Sequence, residues 1–192
     1  SGTLTGYPKE LNYIGIGEGK TYQEALESAS IYIASQIKIS VSSTLETSQS
    51  ELIVNNNTIA RESFNEKIKT NIDQSLSGIE IIKNEKIKNK VFVFAVLDKN
   101  RYLGNLSFEL GSINLSIESY LARARKLEKI GDISGSLDNY SLAKELIPTF
   151  LSKTVFYNSI SRTPYISDQS ISLVNVDMEI DNLIRSLRIE IY

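Results

Sequence analysis

The spacing of apolar positions changes several times along the chain, and each change marks a predicted element. Tyr13-Ile14-Gly15-Ile16-Gly17 is compact and β-prone, and Glu18-Gly19-Lys20 reads as a turn whose glycines permit positive φ at little steric cost. Thr21-Tyr22-Gln23-Glu24 then has the form of a capping box, with the Thr21 hydroxyl accepting from the Glu24 N–H and the Glu24 carboxylate reaching back to the Thr21 N–H. Tyr22, Ala25, Leu26, Ala29, Ile33 and Ile37 recur at helical spacing, and small Ala25 and Ala29 let such a helix lie close to a sheet. From Ile37 the period becomes two. Ile37, Ile39 and Val41 alternate with Lys38, Ser40 and Ser42, which predicts a second strand with one buried side.

The stretch Asn55-Asn56-Asn57 after Leu52-Ile53-Val54 suits a hairpin tip. Between Ile59 and Ile72 two periods compete. Phe64, Ile68 and Ile72 fit a helix, while Phe64, Glu66, Ile68, Thr70 and Ile72 fit a strand returning along 37–54, and the strand is the reading favoured here. Ser77-Gly78 is a turn, Ile79 to Ile82 begins a strand, and Glu85 to Asn89 separates it from Val91-Phe92-Val93-Phe94-Ala95-Val96-Leu97. That last run is apolar throughout and predicts a central strand buried on both faces.

Beyond Asp98 the period is helical. Leu103, Leu106, Leu110, Ile113, Ile117, Tyr120, Ala124 and Leu127 form one stripe, with Gly104 and Gly111 off it as points of bending, and Gly131-Asp132 ends the helix. Leu137, Tyr140, Ala143 and Leu146 share the face of a second helix that Pro148 closes, and Thr149 to Ile160 reads as a third. Asp168 can cap a last helix along Leu173, Val176, Ile180, Leu183 and Leu187, after which Leu187, Ile189 and Ile191 alternate like the start of a strand. The expected fold class is therefore α+β. A small, mostly antiparallel sheet with one packed amphipathic helix occupies 7–98, a helical extension follows over 99–187, and 188–192 is a possible start of a further domain.

Composition narrows the chemistry more than it names it. Among 192 residues there is no cysteine and no histidine, which removes thiolate nucleophiles, Ser-His-Asp triads, disulfides and nearly all zinc chemistry. A formal net charge of -2 gives no general attraction to nucleic acid, so no such partner is expected. The segment Gly15 to Thr21 sits where a phosphate-binding loop would, but only three residues separate Gly15 from Gly19, one too few for the backbone cradle, and Lys20 occupies the last glycine position of the dinucleotide pattern. Glu24 with Glu27, and Asp177 with Asp181, lack a third ligand type and read as solvated helix faces. Lys83, Lys86, Lys88 and Lys90 form a basic run about a hairpin turn, where edge lysines discourage sheet aggregation. Gly131-Asp132-Ile133 with Leu137, Tyr140, Ala143, Leu146 and Pro148 is similar to the second half of a tetratricopeptide repeat, although one copy does not make an array.

Tyr13 to Gly19, the helix with Glu24-Ala25 and Ala29, Ile39-Ser40-Val41-Ser42-Ser43, Gly78-Ile79-Glu80 and Phe94-Ala95-Val96-Leu97-Asp98 together resemble the LPP-twenty family of bacterial envelope lipoproteins, of which the amino-terminal domain of flagellar assembly protein T looks like a relative. The resemblance covers about the first hundred residues. It implies a non-enzymatic periplasmic protein, anchored to the outer membrane only through a lipid not carried by these residues, and engaged with envelope or flagellar assembly proteins. It implies no catalytic, cofactor-binding or metal residue and no cofactor. Tyr120, Leu127, Tyr140 and Leu146 are the expected partner surface, since one helical hairpin cannot bury them all between its own helices. The other readings are a small-ligand or enzymatic domain using the Gly15 to Thr21 turn, and a peptide-binding helical adaptor over Tyr120 to Pro148.

Overall fold

The computed structural model describes residues 6–52, 58–161, 163–166 and 173–189. In chain order the elements are β1 (Asn12–Gly19), α1 (Tyr22–Leu52), α2 (Thr58–Ser75), a 3₁₀ turn (Leu76–Gly78), β2 (Glu80–Ile87), β3 (Lys90–Asp98), α3 (Lys99–Lys129), α4 (Ile133–Ile160) and α5 (Leu173–Ile189). The three strands form an antiparallel sheet in the order β1-β3-β2. The architecture is α+β with a helical extension, as the periodicities predict, and β3 is the central strand.

β1 pairs Gly15 with Ala95 and Gly17 with Val93, so Tyr13, Gly15, Gly17 and Gly19 share one sheet face with Leu97, Ala95, Val93 and Val91. Residues directly opposite one another across a ladder project to the same side. α1 lies on that face, and its Ala25, Ala29, Ile33, Ile37 and Val41 are buried in one core with Val93, Ala95 and Leu97. The other face, with Ile16, Phe92 and Phe94, is only partly covered; Tyr7 meets Phe94 edge-on at 5.9 Å. β3 is thus buried on the helix side at Val93, Ala95 and Leu97, while on the other face Val96 is buried beside Ile14 but Phe92 and Phe94 are only half-buried, so the expected burial on both faces holds at one end of the strand.

Two expected strands are helices. α1 continues unbroken through 37–43: Ile37 and Val41 are buried four residues apart, whereas Ile39 is 70% exposed. The period-two reading counted Ile39 as a core position, but burial selects the i, i+4 pair, and no glycine or proline interrupts the segment from Tyr22 onward. The polar residues there stay helical because their hydroxyls bond back, Ser40 Oγ to the Gln36 carbonyl (3.1 Å) and Thr44 Oγ1 to the Ser40 carbonyl (3.1 Å). Tertiary bonds fix the same stretch, with Tyr13 Oη donating to Ser40 Oγ and Gln36 Nε2 to the Ile14 carbonyl. The segment favoured as a returning strand is α2, in which Ile68 is buried and Ile72 packs on the core while Glu66 and Thr70 face water. The asparagine hairpin tip at 55–57 and the Asp168 cap lie outside the described residues.

The β2–β3 turn is tighter than expected, only Lys88 and Asn89, with Lys88 at φ 54. β2 carries a bulge between Ile81 and Lys83. Asp98 caps α3 by accepting from the N–H groups of Asn100 (2.8 Å) and Arg101 (3.0 Å). Gly104 and Gly111 do not break α3, and Gly131, at φ 78, ends the helix as its position predicts.

Pro148 neither closes a helix nor starts another, because α4 runs through it. An internal proline costs about 3 kcal/mol. Ile147, Phe150, Val155 and Phe156 are buried on both sides of it, and at roughly 1.5–3 kcal/mol for each such side chain their packing outweighs that cost. α4 packs against α1, α2 and α3, which joins the extension to the sheet domain in one core. At the carboxy-terminal side α5 stays helical through Ile189, so the alternation that begins at Leu187 is not a strand over 187–189; 190–192 lie outside the described residues.

Candidate functional site

The glycine segment does not form a ligand-binding turn. Gly15, Gly17 and Gly19 lie within β1, and the turn is only Lys20-Thr21. A Cβ at Gly17 would lie 1.9 Å from the Ala25 carbonyl oxygen and 2.4 Å from the Ala29 nitrogen, and one at Gly15 would lie 2.3 Å from the Ala29 carbonyl oxygen. The glycines are a packing surface that lets the α1 backbone rest on the strand, and that helix occupies the space a phosphate would need. The capping box forms with one change of partner: the Glu24 N–H donates to Thr21 Oγ1 (3.2 Å), while Glu24 Oε2 accepts from the N–H of Lys20 (2.7 Å) rather than Thr21.

The four side chains expected at a partner surface separate. Tyr140 is 1% exposed and belongs to the interior of the extension, which corrects its assignment to a surface. Tyr120, Leu127 and Leu146 are half-buried. Tyr120 and Leu146 lean on the core, so the hairpin absorbs more of this apolar area than its length suggested because α4 also meets α1 and α2.

Tyr140 instead centres a polar tie among α3, α4 and α5. Its hydroxyl contacts Glu179 Oε2 (2.9 Å) and Glu128 Oε2 (3.3 Å), and Arg125 grips the Glu179 carboxylate through Nε (2.9 Å) and Nη2 (2.7 Å). Hydrogen bonding from Arg125 is the main reason the Glu179 carboxyl is held below its ordinary value, with Tyr140 adding to it against a burial penalty. Burial, and then the two glutamates, push the Tyr140 phenol up, so at neutral pH it keeps its proton and can donate. Lys144 pairs with Asp177 at 2.5 Å alongside. These bonds dock α5 onto the hairpin.

Of the carboxylates singled out by spacing, Glu27 and Asp181 are exposed to solvent, as expected of solvated helix faces. Glu24 is consumed by its cap and Asp177 by Lys144, and among the described residues no three side chains of metal-binding type converge.

The apolar surface of the extension lies elsewhere, on the outer side of α3. Phe108 is 80% exposed and Leu115, two turns on, is 67% exposed. Gly104 and Gly111 occupy the same side, and a Cβ at either would meet nothing within 4 Å. From Gly104 to Ala122 this side also carries Ser112 and Ser119, with no charged residue at positions 104, 108, 111, 112, 115, 119 or 122. Sequence reasoning missed it by following the buried stripe alone. The signal was present, since Phe108 and Leu115 are large apolar residues off that stripe at a spacing of seven.

The sheet with a helix seated on glycines, braced by a helical hairpin and a docked fifth helix, defines the class: an α+β domain with a helical extension. Residues 5–98 match the family described as LPP20 lipoprotein, and this part of the chain belongs to that family. Lipoproteins are exported, so membership puts the domain outside the cytoplasm; no helix among the described residues is long and apolar enough to cross a membrane. Among solved structures the chain is similar to the secreted protein HP1454 from the human pathogen Helicobacter pylori, at 13% identity and a TM-score of 0.47, over 88% of this chain and 59% of that one. The chain thus spans about three fifths of that protein's length. No curated protein matches it.

Proposed function

We propose that the chain is a non-enzymatic module of the bacterial envelope, held at the periplasmic face of the outer membrane, that serves envelope or flagellar assembly by binding other proteins. The outer side of α3 carries this reading. Two large apolar side chains stand in water on a helix side whose one charged residue between Gly104 and Ala122 is Glu118 at its margin, next to glycines that no neighbour within the described residues requires. Each glycine costs a helix about 1 kcal/mol relative to alanine, and a close approach by another helix is a physical reason to retain them. The absence of histidine and cysteine, and the use of Glu24, Asp177 and Glu179 in caps and ion pairs, support a non-enzymatic role.

Site-specific photo-crosslinking in the native envelope tests the proposal. A photoreactive residue at Ser112 should give discrete protein adducts, and one at exposed Glu145 on α4 should not. Phe108→Asp with Leu115→Asp should abolish the adducts while leaving stability within about 0.5 kcal/mol of the parent, as exposed substitutions do. Unchanged adducts and normal assembly in that double variant would refute α3 as the contact.

A further inference from the structure

The basic hairpin turn is not an isolated feature once the sheet is assembled. β3 begins at Lys90 and Val91, which sit opposite Ile87 and Lys86 of β2 on one side, while Val91 faces Gly19 of β1 on the other. The β2–β3 turn and the β1–α1 turn therefore occupy the same end of the sheet. This brings Lys83, Lys86, Lys88 and Lys90 together with Lys20 from the other turn, against Glu18, Glu24 and Glu85. Glu85 pairs with Lys83 at 3.1 Å, Glu18 with Lys90, and Glu24 Oε2 is taken by the Lys20 backbone N–H. Lys86 and Lys88 have no carboxylate partner among the described residues, and the local positive balance stands out in a chain whose formal net charge is -2.

Two apolar side chains share this end. Ile87 is 51% exposed between Lys86 and Lys88, and Tyr22 is 42% exposed at the start of α1. An edge guarded only against aggregation calls for charge, not for an isoleucine at the tip between two free lysines. We propose that this end of the sheet is a contact surface for an anionic phospholipid bilayer, with Lys86, Lys88 and Lys20 against the headgroups and Ile87 and Tyr22 entering the interface. Cations around an exposed aliphatic and a tyrosine are the chemistry of such a boundary, where the tyrosine ring sits at headgroup level. This contact is additional to any lipid anchor and does not depend on α3.

Co-sedimentation of the whole chain with vesicles decides it. Binding is expected to vesicles containing phosphatidylglycerol but not to phosphatidylcholine alone, and to be lost on going from roughly 0.1 M to roughly 1 M salt as the screening length shrinks. Each lysine near an anionic surface contributes about five-fold, so K86E with K88E should weaken binding by about 30-fold or more. Glutamates would guard the sheet edge as well as lysines do, so circular dichroism and solubility should stay at parent levels. Ile87→Ser should give a smaller loss that persists at intermediate salt. No sedimentation with anionic vesicles, equal binding to phosphatidylcholine, or full binding by K86E/K88E would each overturn the proposal. Retention on a soluble polyanion without vesicle binding would also overturn it, in favour of an acidic macromolecule.

Discussion

Adding one methyl group at Gly17 should damage this protein more than the same change almost anywhere else. The new Cβ would sit 1.9 Å from the Ala25 carbonyl oxygen, where non-bonded atoms want roughly 3.5 Å, so α1 must lift by on the order of 1 Å or more. The opposing atoms are helix backbone, which cannot rotate away as a side chain would. Lifting the helix opens a gap beneath Ala25, Ala29 and Ile33, all fully buried, and gaps of 0.5–1 Å forfeit about a quarter to a half of each contact. Overpacking usually costs 1–3 kcal/mol, and a rigid opposing backbone puts this case at about 3 kcal/mol or above. The stiffer unfolded chain offsets some 0.4–1 kcal/mol of that, leaving a net loss of about 2 kcal/mol or more for Gly17→Ala. Gly104→Ala supplies the opposite sign, because its Cβ meets nothing and a helix gains up to about 1 kcal/mol by the exchange. Urea unfolding followed by circular dichroism measures both. A Gly17→Ala variant within about 0.5 kcal/mol of the parent, or a Gly104→Ala variant equally destabilised, would refute the packing argument.

The remaining expectations use the polar tie and the glycine strand. Tyr140→Phe removes the hydroxyl that reaches Glu179 and Glu128 and should cost about 1 kcal/mol by thermal or urea unfolding, with no change in sheet content. Because the folded-state Glu179 carboxyl is held below its ordinary 4.5, its contribution is complete above that value and lost as the pH falls through the depressed one; Arg125→Ala should flatten this part of the acid unfolding profile. An unchanged acid profile in Arg125→Ala would show that the pair does not couple to folding. Calorimetry with ATP or GTP should show no binding, since α1 covers the glycines; micromolar binding that disappears in Lys20→Ala would count against the packing role.

The sequence by itself determined which segments are elements wherever local chemistry and pattern agreed. The capping box at Thr21, the stop at Gly131, the wholly apolar run Val91 to Leu97 and the long stripe from Leu103 to Leu127 each have one sensible reading, because a cap, a left-handed glycine and a sustained period act within a few residues of chain. It also carried the family resemblance, and with it the export of the domain. Only the tertiary structure decided the places where two periods fit the same residues. Ile37, Ile39 and Val41 satisfy a strand and a helix equally until it is known that Ile39 meets water while Ile37 and Val41, four apart, are buried in the core, and 59–72 resolves the same way through Ile68. Gly15, Gly17 and Gly19 look like a loop in one dimension, since sequence records the missing side chain but not the helix that fills its space. Pro148 is a breaker by local rules, overridden by burial of Ile147, Phe150 and Phe156 that no local rule can see. The same long-range packing took Tyr140 inside and left Phe108 and Leu115 outside, because which side of an apolar helix becomes surface depends on how many other elements reach it.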